Sequence, residues 1–410
     1  MAAQSCQSEI EQVIQYSSSS PVTISTNNND INYDQQSLPT TTMIILVDRL
    51  LNSLRSILTK FHAGYFRISL SLGGQALLWK KFMGPRTTNT TNSVVLMINS
   101  TSTFLVLWSF ALFTLIFLSL IYLLKCLFNF KMVKAEFLHH VGVNYLFVPW
   151  ISWLLLLQTA PFLAPTTPTY LILWWIFSVP VVLLDVKIYG QWFTKGKRYL
   201  SMAANPTSQL SVIGNLVGAQ AAARMGWRES AVGLFSLGMV HYLVLFVTLY
   251  QRLAGGDRLP AMLRPVFFLF FAAPSMASLA WESIVGDFDM VSKMLFFLSL
   301  FLFLSLICRP MLFKRSMRRF NIAWWAYSFP MTVLALASFE YAEEVKGGIA
   351  HVLMLLLFGL SVLVSLTLVA LTVINTKMLL PDNDPITTTL FHSTRNNLLP
   401  LVSTTTRSPH

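Results

Sequence analysis

The feature that most constrains this chain is a series of ten apolar runs, most of them about 20 residues long. An α-helix rises about 1.5 Å per residue, so such a run can span the roughly 30 Å hydrocarbon core of a bilayer. The runs lie at about residues 62–80, 102–128, 145–164, 170–188, 206–224, 230–250, 265–281, 291–308, 321–341 and 349–375. They predict an all-α polytopic membrane protein with ten transmembrane helices, because lipid offers the backbone no hydrogen-bond partners.

The composition excludes several other classes of protein. Of the 410 residues 54% are hydrophobic and only 11% are charged, which is too few charges for a soluble enzyme. The net charge of +12 is spread too thinly for a nucleic-acid surface. The three cysteines, Cys6, Cys126 and Cys308, are far apart, and no nucleophile, phosphate loop or metal-ligand cluster stands out. We therefore expect no enzymatic activity, cofactor, metal site or nucleic-acid partner.

Polar sequence of low complexity flanks the apolar runs. Residues 1–60 include a four-serine and a three-asparagine tract and lack the basic and apolar regions of a secretory signal. Residues 377–410 are similarly rich in Thr, Ser and Asn. This pattern predicts a disordered N-terminal tail over 1–60, a ten-helix transmembrane domain over 61–376 and a flexible C-terminal tail over 377–410.

The charges of the connecting loops predict the orientation. With a cytosolic N-terminus, the inner loops would carry Lys125, Lys131, Lys134, Lys187, Lys195, Lys197, Arg198, Arg252, Arg258, Arg264, Arg309, Lys314, Arg315, Arg318 and Arg319. The outer loops hold fewer cations and most of the acids, so both termini are expected in the cytosol. Two N-x-S/T sequons, at Asn89 and Asn99, fall in the first outer loop and are candidates for glycosylation.

The odd-numbered runs differ from the even-numbered ones. They contain small residues, polar residues or a proline near their middle, and the first and fifth runs are the least hydrophobic. Irregular backbone at membrane depth must be buried in protein or line a wet cavity. The alternation predicts five helical hairpins, with an inner ring of odd helices around a central pore; close packing through small faces is the alternative for any single helix. The predicted kink and pore-lining residues are Gly73, Gly74, Ser211, Asn215, Gly218, Pro274 and Pro330.

Four longer motifs carry a family resemblance: LDVKIYGQW at 184–192, ANPTS at 204–208, AAPS at 272–275 and WWAYSFPMT at 324–332. Together they resemble the plant slow-type anion channels, relatives of the bacterial tellurite-resistance/dicarboxylate transporter proteins. The resemblance covers about Phe61 to Asn375. It implies a homotrimer, or a mixed trimer with related channels, in which each ten-helix protomer has its own pore. It also implies chloride and nitrate conduction across the plasma membrane and activation by a kinase that phosphorylates the cytosolic tails.

The resemblance further implies that a phenylalanine before the proline of the ninth helix plugs the pore. In this sequence that residue is Phe329, which precedes Pro330. On the sequence alone, packing into the space left by a proline kink is the favoured interpretation, and the family resemblance reverses that preference. A second aromatic residue of the family aligns near Leu155, where leucine implies a looser or different constriction.

The basis of anion selectivity is less evident in the sequence. Arg67 and Arg224 lie near the ends of the first and fifth runs, where long side chains can snorkel to the headgroups; a pore role for either is the less favoured alternative. Basic residues at the cytosolic ends would raise the local anion concentration. A neutral pore would then favour anions that lose water easily, which predicts nitrate over chloride.

Three functions are therefore open. The first is a slow, weakly voltage-dependent anion channel, and the second is an electrically silent subunit that modulates a related channel. The third is a proton-coupled anion carrier, for which Asp185 and Glu282 are the candidate acids, although both are expected near helix ends. No Lys or Arg precedes Arg49, so residues 1–48 lack sites for kinases that need R-x-x-S.

Overall fold

The computed structural model describes Arg49 and residues 52–83, 93–194, 204–254, 261–314 and 320–376. By internal contacts the chain divides into two units, Met1–Ser53 and Leu54–His410. From residue 67 on, the described part of the second unit contains ten helices of 13 to 36 residues and no strand. They are α1 (Arg67–Phe82), α2 (Ser93–Phe128), α3 (Phe147–Thr159), α4 (Pro168–Thr194), α5 (Gln209–Arg224), α6 (Arg228–Ala254), α7 (Leu269–Val285), α8 (Met290–Ile307), α9 (Ser328–Val345) and α10 (Gly348–Ile374).

Most of these helices are long and apolar enough to cross a bilayer. Seven spans meet that condition among the described residues: Thr101–Phe128, Pro168–Trp192, Arg228–Gln251, Arg264–Val285, Met290–Ile307, Ile322–Val345 and Gly348–Ile374. The pair Phe130–Leu138 and Gly142–Thr159, which is bent by 105°, adds an eighth only if both helices form one broken span. Helices α1 and α5 have only 16 residues each and do not qualify. The all-α polytopic membrane fold is confirmed, while ten crossings stay a prediction.

The odd helices form a closed ring. Each odd helix contacts the next one in the chain, in the order α1, α3, α5, α7 and α9. Helix α9 also contacts α1, which closes the ring. Each even helix packs against the odd helix that precedes it in the chain. In the most apolar 18-residue stretch of the span that contains α9, 94% of the residues are buried, against 22% in the corresponding stretches of α2, α6 and α8. The predicted inner ring of odd helices is therefore confirmed, with the apolar outer ring positioned to face lipid.

A short helical segment leads into each odd helix. These five lead-in segments are Ala63–Phe66, Gly142–Tyr145, Pro206–Ser208, Ala261–Phe268 and Ile322–Tyr327, and all but the second are 3₁₀ helices. They contact one another in the same cyclic order as the helices they precede. The five inner helices therefore start at the same end of the ring and run parallel.

Polar caps recur at these lead-in segments. The Nδ1 atom of His62 accepts the backbone N–H of Gly64 at 3.0 Å, and Oδ1 of Asn205 accepts that of Thr207 at 3.0 Å. Asn321 caps the last lead-in segment in the same way. A helix start leaves backbone N–H groups without partners, and a side-chain acceptor supplies one. The repeated cap explains why these three segments begin where they do.

The structure corrects several sequence-based boundaries. Residues 52–60 are helical, so the predicted N-terminal tail ends earlier than residue 60; the rest of that tail, apart from Arg49, and residues 377–410 lie outside the described residues. Helix α2 begins at Ser93, because the apolar run extends upstream, and Asn99 is therefore in a helix and not in a loop. Asn89 lies outside the described residues.

Of the cations assigned to inner loops, Lys125, Lys187 and Arg252 lie in long helices instead, and the first two make contacts with the chain between α2 and α3. Lys125 lies in α2 and is 1% exposed, with Nζ 3.1 Å from Oε2 of the equally buried Glu136. Lys187 lies in α4, and its Nζ donates to the carbonyl of Phe137. Both side chains tie the bent segment Phe130–Leu138 to a long helix, which a count of loop charges does not reveal.

Candidate functional site

Phe329 is the second residue of α9 and packs directly against the backbone of α1. Its side chain is 2% exposed. A Cβ atom placed on Gly74 would lie 3.3 Å from Cδ2 of Phe329 and 3.4 Å from Cγ2 of Thr332. That spacing is tighter than ordinary van der Waals contact, so glycine is the residue that fits at position 74 without displacing its neighbours. Two of the predicted site residues are thus brought together.

The adjacent glycine faces the next helix of the inner ring. A Cβ atom on Gly73 would lie 3.7 Å from Cβ of Leu155, which is 1% exposed on α3. The two side chains expected to constrict the pore, Phe329 and Leu155, therefore pack on α1 at neighbouring glycines. Such a close approach of helices through small residues is typical of membrane proteins.

Pro330 and Pro274 have different structural roles. Pro330 is the third residue of α9, in the first turn, where the missing N–H breaks no helical hydrogen bond. The expected kink is replaced by a change from a 3₁₀ helix to an α-helix at Ser328. Pro274 lies inside α7, and Oγ of Ser299 donates to the nearby carbonyl of Phe271 at 2.6 Å. A hydroxyl group of α8 thus donates a hydrogen bond to a backbone carbonyl near Pro274, as is usual beside prolines in membrane helices.

A buried polar network surrounds the first turns of α9. Nε2 of Gln75 lies within 2.8 Å of hydroxyl oxygens on Thr332, Ser361 and Ser365. The hydroxyls of Ser328 and Ser365 are 2.6 Å apart, and Ser71 donates to Ser328. The network joins α1, α9 and α10 beside Phe329. Sequence reasoning missed it, although each helix contributes two polar residues spaced four apart, on one face.

The polar face of α5 points toward the outer ring. Nδ2 of Asn215 donates to Oδ2 of Asp185 at 2.6 Å, and Oγ of Ser211 is 2.8 Å from the hydroxyl of Tyr189. The carbonyl of Gly218 accepts the indole N–H of Trp174 at 3.1 Å. All three partners lie on α4. This direction differs from the one expected for a pore lining, so we do not include Ser211, Asn215 or Gly218 in the proposed pathway.

The candidate acids differ in their surroundings. Asp185 is 2% exposed inside α4 and not near a solvated helix end, so that expectation was wrong. It was placed near a helix end because α4 continues to Thr194, beyond the apolar run. Glu282 is partly exposed in the last turn of α7, as expected.

Arg67 does not snorkel, contrary to expectation. It is the first residue of α1 and is 4% exposed. Nε donates to the carbonyl of Gly64 at 2.8 Å, and the guanidinium carbon lies 4.9 Å from the centre of the Tyr145 ring. Short lead-in segments on both sides cover the side chain, which keeps it from the headgroups. Arg224, at the end of α5, is exposed as expected.

Comparison with known proteins identifies the family. The family described as "SLAC1: Voltage-dependent anion channel" matches residues 60–373, which include all ten helices except the last residue of α10. The chain belongs to this family. The predicted resemblance to slow-type anion channels is confirmed, and the chain is a multi-pass membrane protein of a channel family and not an enzyme.

The relatives extend over most of the chain. The S-type anion channel SLAH1 of Arabidopsis thaliana is 59% identical over 333 residues, which are 81% of this chain and 86% of the relative. SLAH4 of the same plant is 58% identical over 330 residues, which are 80% of this chain and 87% of the relative. The guard cell S-type anion channel SLAC1 is 44% identical over 71% of this chain and 51% of its own length.

Proposed function

We propose that this anion channel passes chloride and nitrate across the plasma membrane, slowly and with little voltage dependence, through a path inside the inner ring of each protomer. Phe329 closes that path. The single observation that carries the proposal is the contact of this buried ring with the backbone of Gly74, between two helices of a closed five-helix ring. Protomers would assemble as a homotrimer or as a mixed trimer with related channels, with both termini in the cytosol.

The ring favours anions for a general electrostatic reason. Each helix carries a partial positive charge at its N-terminus, equivalent to about half an elementary charge. Five parallel inner helices begin at one end of the ring, so these partial charges add there. Beyond that end, the path would be lined by small and neutral side chains, and an anion that loses water easily passes at lower cost. Nitrate would therefore be favoured over chloride.

Closure by Phe329 is steric and hydrophobic. An apolar constriction excludes water and ions without a charged gate. The ring is held in position because Ser328 and Thr332, on either side of it in α9, belong to the buried network with Gln75. Opening would require the ring to leave Gly74 or the first turns of α9 to shift.

Phe329→Ala tests the proposal directly. The chain would be expressed alone in oocytes and recorded by two-electrode voltage clamp in chloride and in nitrate, with surface protein measured in parallel. We expect large, weakly voltage-dependent anion currents, because the remaining lining is small and neutral. Phe339→Ala is the matched control. Phe339 is an equally buried ring on α9, with its centre 5.9 Å from that of Phe358 on α10.

The outcomes separate a plug from core packing. Truncation of a buried phenylalanine costs about 3–5 kcal/mol, so both variants are expected to lower the amount of folded protein. Only Phe329→Ala should increase current per channel at the surface. Normal surface levels without added current would contradict the plug. A silent wild type with a conducting Phe329→Ala would indicate an intact pore that needs an activating signal or a partner subunit.

A further inference from the structure

Arg67 is a buried cation with an unused hydrogen-bond donor. Its Nη1 atom has no partner among the described residues, and no carboxylate of the described part pairs with it. Its contacts are the carbonyl of Gly64 and the face of Tyr145, which together leave the positive charge without an anion. An uncompensated buried charge is costly, so such a group normally has a counter-ion.

The position of Arg67 relates it to the proposed gate. Arg67 and Gly74 are seven residues apart on α1, which is two helical turns, so they lie on nearly the same face. Gly74 is the residue against which Phe329 packs. Two turns correspond to about 10 Å along the helix. Arg67 therefore lies about 10 Å from the gate, toward the end of the ring where all five inner helices begin.

A second unused donor lies at the same end. Gln209 is the first residue of α5, as Arg67 is the first residue of α1, and it is fully buried. Both Nε2 and Oε1 of Gln209 lack a partner among the described residues. Buried amide groups are nearly always hydrogen-bonded. Two inner helices therefore each begin with a buried side chain that has an unused donor, at the end of the ring where all five helices start.

We propose that Arg67 binds a small monovalent anion, chloride or nitrate, at the N-terminal end of the inner ring, with Gln209 as a second donor. One guanidinium charge matches one anion charge, and the N-termini of the inner helices add to the positive potential. The site would concentrate permeant anions immediately before the gate. This inference rests on the proposed path through the inner ring, and it adds to that path a specific binding step.

The first test measures permeation. In the Phe329→Ala background, Arg67→Met should raise the half-saturating nitrate concentration at least about fivefold, because the local anion concentration falls when the cation is removed. Arg67→Lys keeps the charge, so its half-saturating nitrate concentration should lie between that of Phe329→Ala alone and that of Arg67→Met in the same background. Arg224→Met removes an exposed cation at the other end of α5 and is the control. An unchanged half-saturating concentration in Arg67→Met would overturn the site and leave the Phe329 gate standing.

The second test does not depend on conduction. Full-length protein in detergent would be heated in sodium nitrate, sodium chloride or sodium gluconate at equal ionic strength. An anion that binds the folded state raises its thermal midpoint. We expect wild type and Arg67→Lys to be stabilised by nitrate and chloride over gluconate, with most of that gain lost in Arg67→Met and part of it in Gln209→Leu. An equal gain in wild type and Arg67→Met would overturn the site even if Phe329→Ala conducts.

Discussion

A Cβ atom on Gly74 would lie 3.3 Å from Cδ2 of Phe329, whereas a Cβ atom on Gly73 would meet nothing closer than Cβ of Leu155 at 3.7 Å. Two adjacent glycines on one helix thus differ in how much space they have. The difference provides a matched pair of substitutions beside the proposed gate.

We predict that Gly73→Ala preserves or raises stability and that Gly74→Ala lowers it. Alanine gains up to about 1 kcal/mol over glycine in a helix interior. At position 73 the methyl group makes ordinary contact, so the gain is realised. At position 74 it displaces the ring of Phe329, and overpacking typically costs about 1–3 kcal/mol. Thermal midpoints of the two variants in detergent check this, and equal midpoints would show that the ring moves aside freely.

The polar network at Gln75 should stabilise the first turns of α9. We predict that Gln75→Leu lowers the free energy of unfolding by about 1–2 kcal/mol, the usual upper range for hydrogen bonds between membrane helices. The control is Gln220→Leu on α5, because Oε1 of Gln220 is buried without a partner among the described residues. Denaturation in detergent would compare the two. If Gln220→Leu proved as harmful as Gln75→Leu, packing and not the network would account for the loss.

The sequence predicts the ring architecture because the ring leaves a periodic trace in the chain. Alternate apolar runs carry glycine, serine or proline, and those runs become the buried helices. The contact of Phe329 with Gly74 was not predictable, since it joins residues 255 positions apart. The Gln75 network was missed for the same reason. Each serine or threonine is ordinary on its own helix, and only the meeting of three helices makes a network.

Charged residues near helix ends were the least predictable. Lys125 lies near the end of an apolar run and is expected from the sequence in a loop, and Arg67 lies near the start of another and is expected to reach the headgroups. Both are buried because short helices, Phe130–Leu138 and the lead-in segments, cover the ends of the long ones. Local composition contains no signal for such a cover. A pairing between Lys125 and Glu136 becomes evident only after the chain bends between them.

The buried pair of Lys125 and Glu136 gives a third prediction. Nζ of Lys125 also donates to the carbonyl of Phe61 at 2.6 Å, and Oε1 of Glu136 accepts the N–H of Ala63 at 2.7 Å. We predict that Lys125→Met destabilises the fold by about 3–5 kcal/mol, because it leaves a buried carboxylate unpaired. The double variant Lys125→Met/Glu136→Gln should lose much less. Folded yield and thermal midpoint would be measured for each variant. If the losses caused by Lys125→Met and Glu136→Gln alone simply added up in the double variant, the two residues would not be a coupled pair.

The last prediction tests whether Asn215 belongs to the interface between α4 and α5 or to the pore lining. Its Nδ2 donates to Asp185 at 2.6 Å, while Oδ1 of Asp185 has no partner among the described residues. Asn215→Leu would therefore remove the side-chain donor that lies 2.6 Å from a buried carboxyl oxygen, and we expect a loss of about 1–3 kcal/mol. Asp185→Asn changes the group to a neutral amide of the same shape, and in combination with Asn215→Leu it should recover part of that loss.

Permeation provides the second readout at this position. In the Phe329→Ala background, Asn215→Ala should leave the ratio of nitrate to chloride conductance unchanged, since its side chain points to α4 and away from the proposed path. Arg67→Met, measured in the same background, should change how the current depends on anion concentration. Its effect on folding should be smaller than its effect on permeation. A changed conductance ratio in Asn215→Ala at normal surface levels would return Asn215 to the pore lining and would require α5 to turn its polar face toward the axis when the channel opens.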